Sequence, residues 1–496
     1  MSTFLEFHLQ SDAPDAGDSF NVTVFARNSS QPLAASRFEY RLDDLAQFEI
    51  SRLDFNPRDP LGRLERLQAF GRKLYQKLFT AEVEQIWRQQ RDGSNFLTLC
   101  VRIHDDAKRL EAVPWEALHD GAEFIAAGAK TTVTRLPLGI APAAELPAIP
   151  LPIRMLALVS SPPDLPDGSR LNIEREQELL LEAINAPPGQ GKLHVDFEDE
   201  AKLEILESSL EAELAGSAQS GGYHILHFTG HGIAPENGGG LLLEDHDGKR
   251  LPVGVNDFVS SLAKGFGTLR LAVISGCNTA QTLHTGGFRD LARALVAEKV
   301  PAVLAMQFAI SDTAGLKLSE ALYPKLIAGQ ALEAAVHAAR RALWLTDEPV
   351  LQADALALVL LTGNGNCLQA KAAHSEGTPT ANFNPAPSLA IDTGFQLGAL
   401  PQLGFKFYGR RKEYRQLRDA LLARMARLSS AARELLEALP ARLQAAGQGG
   451  TCGVPGCGPV GEGGTDLVVP GAAAVMSGMV VVARASAAAL TTSGVQ

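Results

Sequence analysis

The chain has 496 residues, enough for about three domains at roughly 150 residues each. Its 46% hydrophobic and 20% charged residues are those of an ordinary globular protein. With 45 Lys and Arg against 56 Asp and Glu, a net charge of -11, and no dense basic run, the composition argues against a nucleic-acid binder. Five widely spaced cysteines make no secreted disulfide framework. The opening residues from Met1 to His8 lack the basic-then-apolar layout of a signal peptide, which predicts a cytoplasmic chain. In that reducing compartment a cysteine that matters is a nucleophile or metal ligand before it is a crosslink.

Residues 4–9 and 20–26 alternate apolar and polar and read as strands separated by Asp, Gly and Ser turns. Leu64 to Trp87 carries apolar residues at helical spacing and predicts one helix. Strands follow at 96–103 and 131–136. Pro137, Pro142, Pro147, Pro150 and Pro152 then interrupt the chain and mark a boundary, closing an amino-terminal α/β subdomain at 1–150.

From Ile153 strands and helices alternate, the signature of a doubly wound, mainly parallel sheet with helices on both faces. Strands are predicted at 153–160, 193–197, 223–229, 270–275, 301–306 and 354–361. Helices fall near 172–185, 201–216, 256–264, 287–298, 312–328 and 330–345. Asp247-Gly248 between two apolar runs predicts a hairpin after the third of these strands. The expected fold is α/β, with this domain spanning 151–370. Residues 371–404 read as a linker and 405–445 as a charged helical stretch. Residues 446–496 form a Gly- and Ala-rich tail whose apolar run, 471–483, is too short for the roughly 20 residues of a membrane span.

Two strand ends carry reactive side chains among small residues. One runs Tyr223-His-Ile-Leu-His-Phe-Thr-Gly-His231-Gly232, the other Leu271-Ala-Val-Ile-Ser-Gly-Cys277-Asn-Thr. In a parallel sheet both ends open on one rim, and sequential strands are usually neighbours. A thiol becomes a nucleophile only when a base or cation favours its thiolate, and His231 is placed to supply that and to return the proton to a leaving amine. The backbone N–H groups of Gly232 and Cys277 are candidates for an oxyanion hole. From the residues alone, a core cysteine beside a strand-end histidine reads about as well as a catalytic pair.

The segments His227-Phe-Thr-Gly-His-Gly232 and Ser275-Gly-Cys-Asn-Thr-Ala280 resemble those of CHAT peptidases, members of the caspase and separase clan of cysteine proteases. Val113-Pro-Trp-Glu-Ala-Leu-His-Asp120, Thr134-Arg135, Val300 to Phe308, Ser311-Asp312 and Tyr323-Pro-Lys-Leu extend the likeness over roughly residues 60–370. The resemblance implies a caspase-like fold, His231 as general base and Cys277 as nucleophile. It also implies an endopeptidase acting on a protein substrate without cofactor or metal, under a partner or attached sensor domain. The amino-terminal region would be a degenerate caspase-like partner, with Pro114-Trp-Glu packing at the interface. Asp312 corresponds to a separase position that suggests a substrate pocket for a basic side chain, although Asp is among the best residues to cap the helix that follows, and the cap is the favoured reading. Gly404-Phe-Lys-Phe-Tyr-Gly-Arg-Arg resembles the beginning of signalling NTPase modules, but no phosphate-binding loop follows.

Other readings compete. His224, His227 and His231 invite zinc, yet residues 224 and 227 point to opposite faces of a strand. Cys452 and Cys457 are too few for a tetrahedral site. Asp290, Arg293 and Glu298 read as a solvated helix face. A caspase-like scaffold without catalysis, serving a signalling or defence assembly, is the alternative function. No membrane or nucleic-acid partner is expected.

Overall fold

The computed structural model of the protein describes residues 2–12, 18–41, 60–136, 146–166, 171–185, 191–198, 201–215, 222–233, 240–276, 286–363 and 365–370. Alternating apolar residues build β1 (Ser2–Ser11) and β2 (Ser19–Ala26), with Leu5, Phe7 and Leu9 buried on one face. A turn through Asn28, at φ 63°, leads into β3 (Pro32–Glu39), a strand whose mixed composition hid it in the sequence. The single helix expected over 64–87 is two, α1 (Pro60–Leu78) and α2 (Ala81–Gly93). Thr80 leaves the helical region at φ -68° and ψ 168° and starts the second helix. Next come β4 (Phe96–Ile103) and β5 (Thr131–Leu136), joined by short 3-10 turns.

The second half alternates as predicted. It contains β6 (Ile153–Val159), α3 (Ile173–Asn185), β7 (Leu193–Glu198), α4 (Leu203–Ala215) and β8 (Ile225–Ile233). The expected hairpin is β9 (Gly240–Glu244) with β10 (Arg250–Gly254), and its Gly248 sits at φ 75°. Then follow α5 (Val255–Ser261), β11 (Leu271–Gly276), α6 (Gly286–Ala297), β12 (Ala302–Met306), α7 (Asp312–Ile327) and α8 (Leu332–Trp344). Of the strand expected over 354–361, residues 358–361 are strand in β13 (Leu358–Thr362), while 354 and 355 end a helix, α9 (Pro349–Ala355), that was not expected. Pro349 opens that helix because its ring presets φ and its missing donor costs nothing at the first helical position.

The strands form one sheet in the order β7-β6-β8-β11-β12-β13-β5-β4-β1-β2-β3, with the β9–β10 hairpin on the last residues of β8. Pairing is parallel from β7 to β12 and from β13 to β1, and antiparallel where β12 meets β13. The segments 1–150 and 151–370 therefore share a sheet, and residues 1–373 make one compact unit. The expectations for 371–404, 405–445 and 446–496, including Cys452, Cys457 and the Gly404 segment, lie outside the described residues. Among the described residues no helix is long and apolar enough to cross a membrane.

Side chains of β8, β11 and β12 sort by parity. Leu226, Phe228, Ile274 and Val303 form one apolar layer with Leu206, Leu210, Phe258, Leu291 and Leu295 of α4, α5 and α6. His227 and Thr229 point the other way, toward α3 and α7, which pack on each other. In α6 the buried stripe Leu291, Ala292, Leu295 and Val296 meets the sheet while Arg293 and Glu298 face outward. Arg293 still pairs with Glu111 at 3.0 Å, so that face is tied to the amino-terminal half rather than wholly solvated.

Candidate active site

The chain runs outward from β6 to β7, then returns across β6 to place β8 on its other side. In a doubly wound sheet such a reversal opens a crevice at the strands' carboxyl ends. His231 stands there. The parallel ladder between β8 and β11 runs from Ile225 and Leu271 to its last pair, Gly230 and Gly276. His231 and Cys277 are each the next residue in the chain. Cys277 lies outside the described residues.

On the opposite edge β6 accompanies β8 as far as Thr229, and β9 takes over, pairing Leu242 with His231 and Leu241 with Gly232. Ser160 ties the handover: its N–H donates to the Thr229 carbonyl at 2.8 Å and its hydroxyl to the Leu242 carbonyl at 2.6 Å. His231 is fully buried in this frame. Gly230 has no room for a side chain, since an added Cβ would lie 2.5 Å from Phe228 Cζ and 3.1 Å from Ser160 Cβ.

Beneath His231, on its face of the sheet, lies a buried polar cluster that the sequence reading did not find. His227 Nε2 is 3.1 Å from Glu176 Oε1 and 2.8 Å from Thr229 Oγ1, and Nδ1 meets the Tyr323 hydroxyl. Ser319 donates its hydroxyl to the same Glu176 oxygen at 2.9 Å. Burial would push the Glu176 carboxyl up, but the hydrogen bond and the electrostatic attraction of His227, with hydrogen bonds from Thr229 and Ser319, outweigh it and hold the group below the usual range. Burial, with the Glu176 charge, drives the Tyr323 phenol well above its ordinary value, so it keeps its proton. The only signal in the sequence was His227 itself.

Two histidines of the zinc reading have partners of their own, His227 in the cluster above and His224 on another strand edge. His224 Nδ1 accepts from the Arg154 N–H at 3.0 Å, and burial followed by Arg270 and Arg154 pushes it down to about 4. Among the described residues no group of three or more His, Cys, Asp or Glu is placed to hold a metal ion. Asp312 is not the helix cap. Ser311 is, its hydroxyl accepting from the Ala314 N–H at 3.2 Å, while Asp312 accepts from the Asn172 N–H at 3.3 Å. Burial first, and Glu176 in addition, raises the Asp312 carboxyl.

The Pro114-Trp-Glu block is buried packing, as expected. Trp115 donates to the Leu110 carbonyl at 3.0 Å and meets Phe38 edge-on. Glu116 binds the Arg135 guanidinium with both carboxylate oxygens and accepts from Gln307 at 2.9 Å, joining β5 to the segment after β12.

A sequence model described as the CHAT domain matches residues 68–381. Among curated proteins nothing matches the chain. Among solved structures, that of the Saccharomyces cerevisiae separase–securin complex is similar over 72% of this chain and 30% of that chain, with 10% identity and a TM-score of 0.41. The present chain thus spans less than a third of that chain's length.

Proposed function

This chain belongs to the CHAT domain family, and from that footing we propose that it is a cysteine endopeptidase working through His231 and Cys277. The observation that carries the reading is the β8–β11 register. Two parallel neighbours are paired to Gly230 and Gly276, and the next residue on each is one half of the dyad.

In the proposed mechanism His231 takes the thiol proton of Cys277, and the thiolate attacks the carbonyl carbon of a peptide bond. The backbone N–H groups of Gly232 and Cys277 receive the oxyanion. His231 returns the proton to the departing amine as the C–N bond breaks, leaving a thioester. Water, deprotonated by His231, then releases the carboxylic acid and restores the thiol. Asp312, at the start of α7 with its carboxyl half-buried, is proposed to line the pocket for a basic side chain before the cut. Full burial of His231 supports latency, because a substrate must gain access to the imidazole when a partner or sensor domain rearranges the rim.

The test is labelling with iodoacetamide followed by peptide-resolved mass spectrometry on the full chain. Fast alkylation of Cys277 at neutral pH, lost in His231→Ala, supports an activated thiolate. Loss of cleavage of the chain or a protein target in Cys277→Ala completes the assignment. A Cys277 no more reactive than a free thiol, in the presence of every partner tried, would return the chain to the non-catalytic scaffold reading.

A further inference from the structure

We propose that Glu176 is a positioning residue for the dyad, a fixed buried negative charge on the His231 face of β8 that favours the protonated imidazole. The inference rests on the reading of His231 and Cys277 as the catalytic pair.

The cluster gathers its partners around one carboxylate. His227 Nε2 lies within hydrogen-bond distance of Glu176 and Thr229, and its Nδ1 meets the Tyr323 hydroxyl, which keeps its proton. Ser319 donates to the same Glu176 oxygen. These partners hold the buried Glu176 carboxyl below the usual range, so it stays ionised inside the fold.

Its location joins that charge to the dyad. Thr229 hydrogen-bonds within the cluster, so the carboxylate lies over residue 229. His231 is the next residue on that face, about 6.6 Å farther along the strand. The charge is felt at the rim, since Glu176 contributes to the raised Asp312 carboxyl after burial. Of the titratable groups on the packed elements, His227 on β8, Glu176 on α3, Tyr323 on α7 and Glu244 on β9 are buried, Asp312 and Lys317 on α7 are half-buried, and Glu174, Arg175, Glu178 and Glu182 on α3 and Glu320 and Lys325 on α7 face outward. Of these, Glu176 is the one linked to the strand through Thr229. Glu244 is committed to the Ser161 N–H at 3.2 Å.

The test follows the rate of Cys277 alkylation by iodoacetamide between pH 5 and 9 in the full chain. A thiol–imidazole pair titrates as a unit with two apparent values. Removing a nearby negative charge favours the thiolate and disfavours the imidazolium, so both inflections must move to lower pH. The expected shift in Glu176→Gln is about one pH unit, the effect of one charge about 10 Å away at an effective dielectric of about 20. Glu176→Asp retains the charge but alters the shape, and its inflections must stay within about 0.3 unit of the parent's, on the same reasoning. Should Glu176→Gln not fold, Glu176→Leu removes the same charge with an apolar side chain of similar size, and the same shift is required of it. Superposable profiles for the parent and charge-removing variants, or equal shifts in the Gln and Asp variants, overturn the inference while leaving the dyad intact. A parent Cys277 without His231-dependent reactivity instead overturns the dyad reading, whatever the Glu176 variants do.

Discussion

Removing the Asp354 carboxylate tests whether the amino-terminal segment and the segment after Ile153 are held as one folded body. Asp354, at the end of α9, accepts from Arg63 of α1 at 2.7 Å, from the Ser311 N–H at 3.0 Å and from the Ser311 hydroxyl at 2.8 Å. The two charged side chains are 5% and 0% exposed. Asp354→Ala leaves a buried guanidinium whose remaining acceptor among the described residues is the Ala309 carbonyl, and it strips both donors of the helix-capping Ser311 of their carboxylate. Breaking a buried pair from one side costs about 3–5 kcal/mol, and an orphaned donor about 1 kcal/mol more. A loss of about 4 kcal/mol is expected, a large share of the roughly 5–15 kcal/mol that stabilises a domain. Urea unfolding read by tryptophan fluorescence measures it, and Trp87, Trp115 and Trp344 all lie within the 1–373 unit. The double variant Arg63→Met with Asp354→Leu removes both charges and should recover most of the loss. A loss below about 1 kcal/mol in Asp354→Ala would refute the claim that this pair carries the joint.

Three further outcomes are expected. Gly230→Ala forces its Cβ against Phe228 and Ser160, so it should destabilise the unit by about 1–3 kcal/mol and slow Cys277 alkylation, both measurable in the assays above. His224 is pushed from 6.5 down to about 4, so the unfolded chain binds more protons than the folded one between those values. Stability must therefore fall as pH drops from about 6.5 to about 4, by about 2 kcal/mol after allowing for partial exposure, and His224→Gln should flatten that slope in urea midpoints taken across the window. Burial pushes Cys100 and Cys367 up to about 12, so neither should be alkylated by iodoacetamide at pH 8 in the native chain. Modification of either before unfolding would contradict their placement in the core.

The alternation of strand and helix from Ile153 onward was legible because each element buries a face whose period, 2 or 3.6, is written in its own residues. The stop of β11 at Gly276 was legible for the same reason, whereas β8, expected to end at residue 229, runs on through His231 to Ile233 because β9 pairs with its last residues. Where local pattern was ambiguous the reading failed. Residues 64–87 kept helical spacing through a break at Thr80 that only backbone geometry reveals, and the apolar residues of α9 ran into β13 without a visible stop. Asp and Ser both suit a helix cap, and only the position of the Ala314 N–H decides for Ser311.

Contacts between distant segments were beyond the sequence. Glu176, Ser319 and Tyr323 look like ordinary residues of two amphipathic helices, and they become a charged cluster only because α3 and α7 close over His227. Arg63 and Asp354, 291 positions apart, give no hint of each other in the chain. Periodicity reports what one segment buries, whereas a polar side chain's partner is set by which segments the sheet order brings together. That order put β13 beside β5 and β8 beside β11.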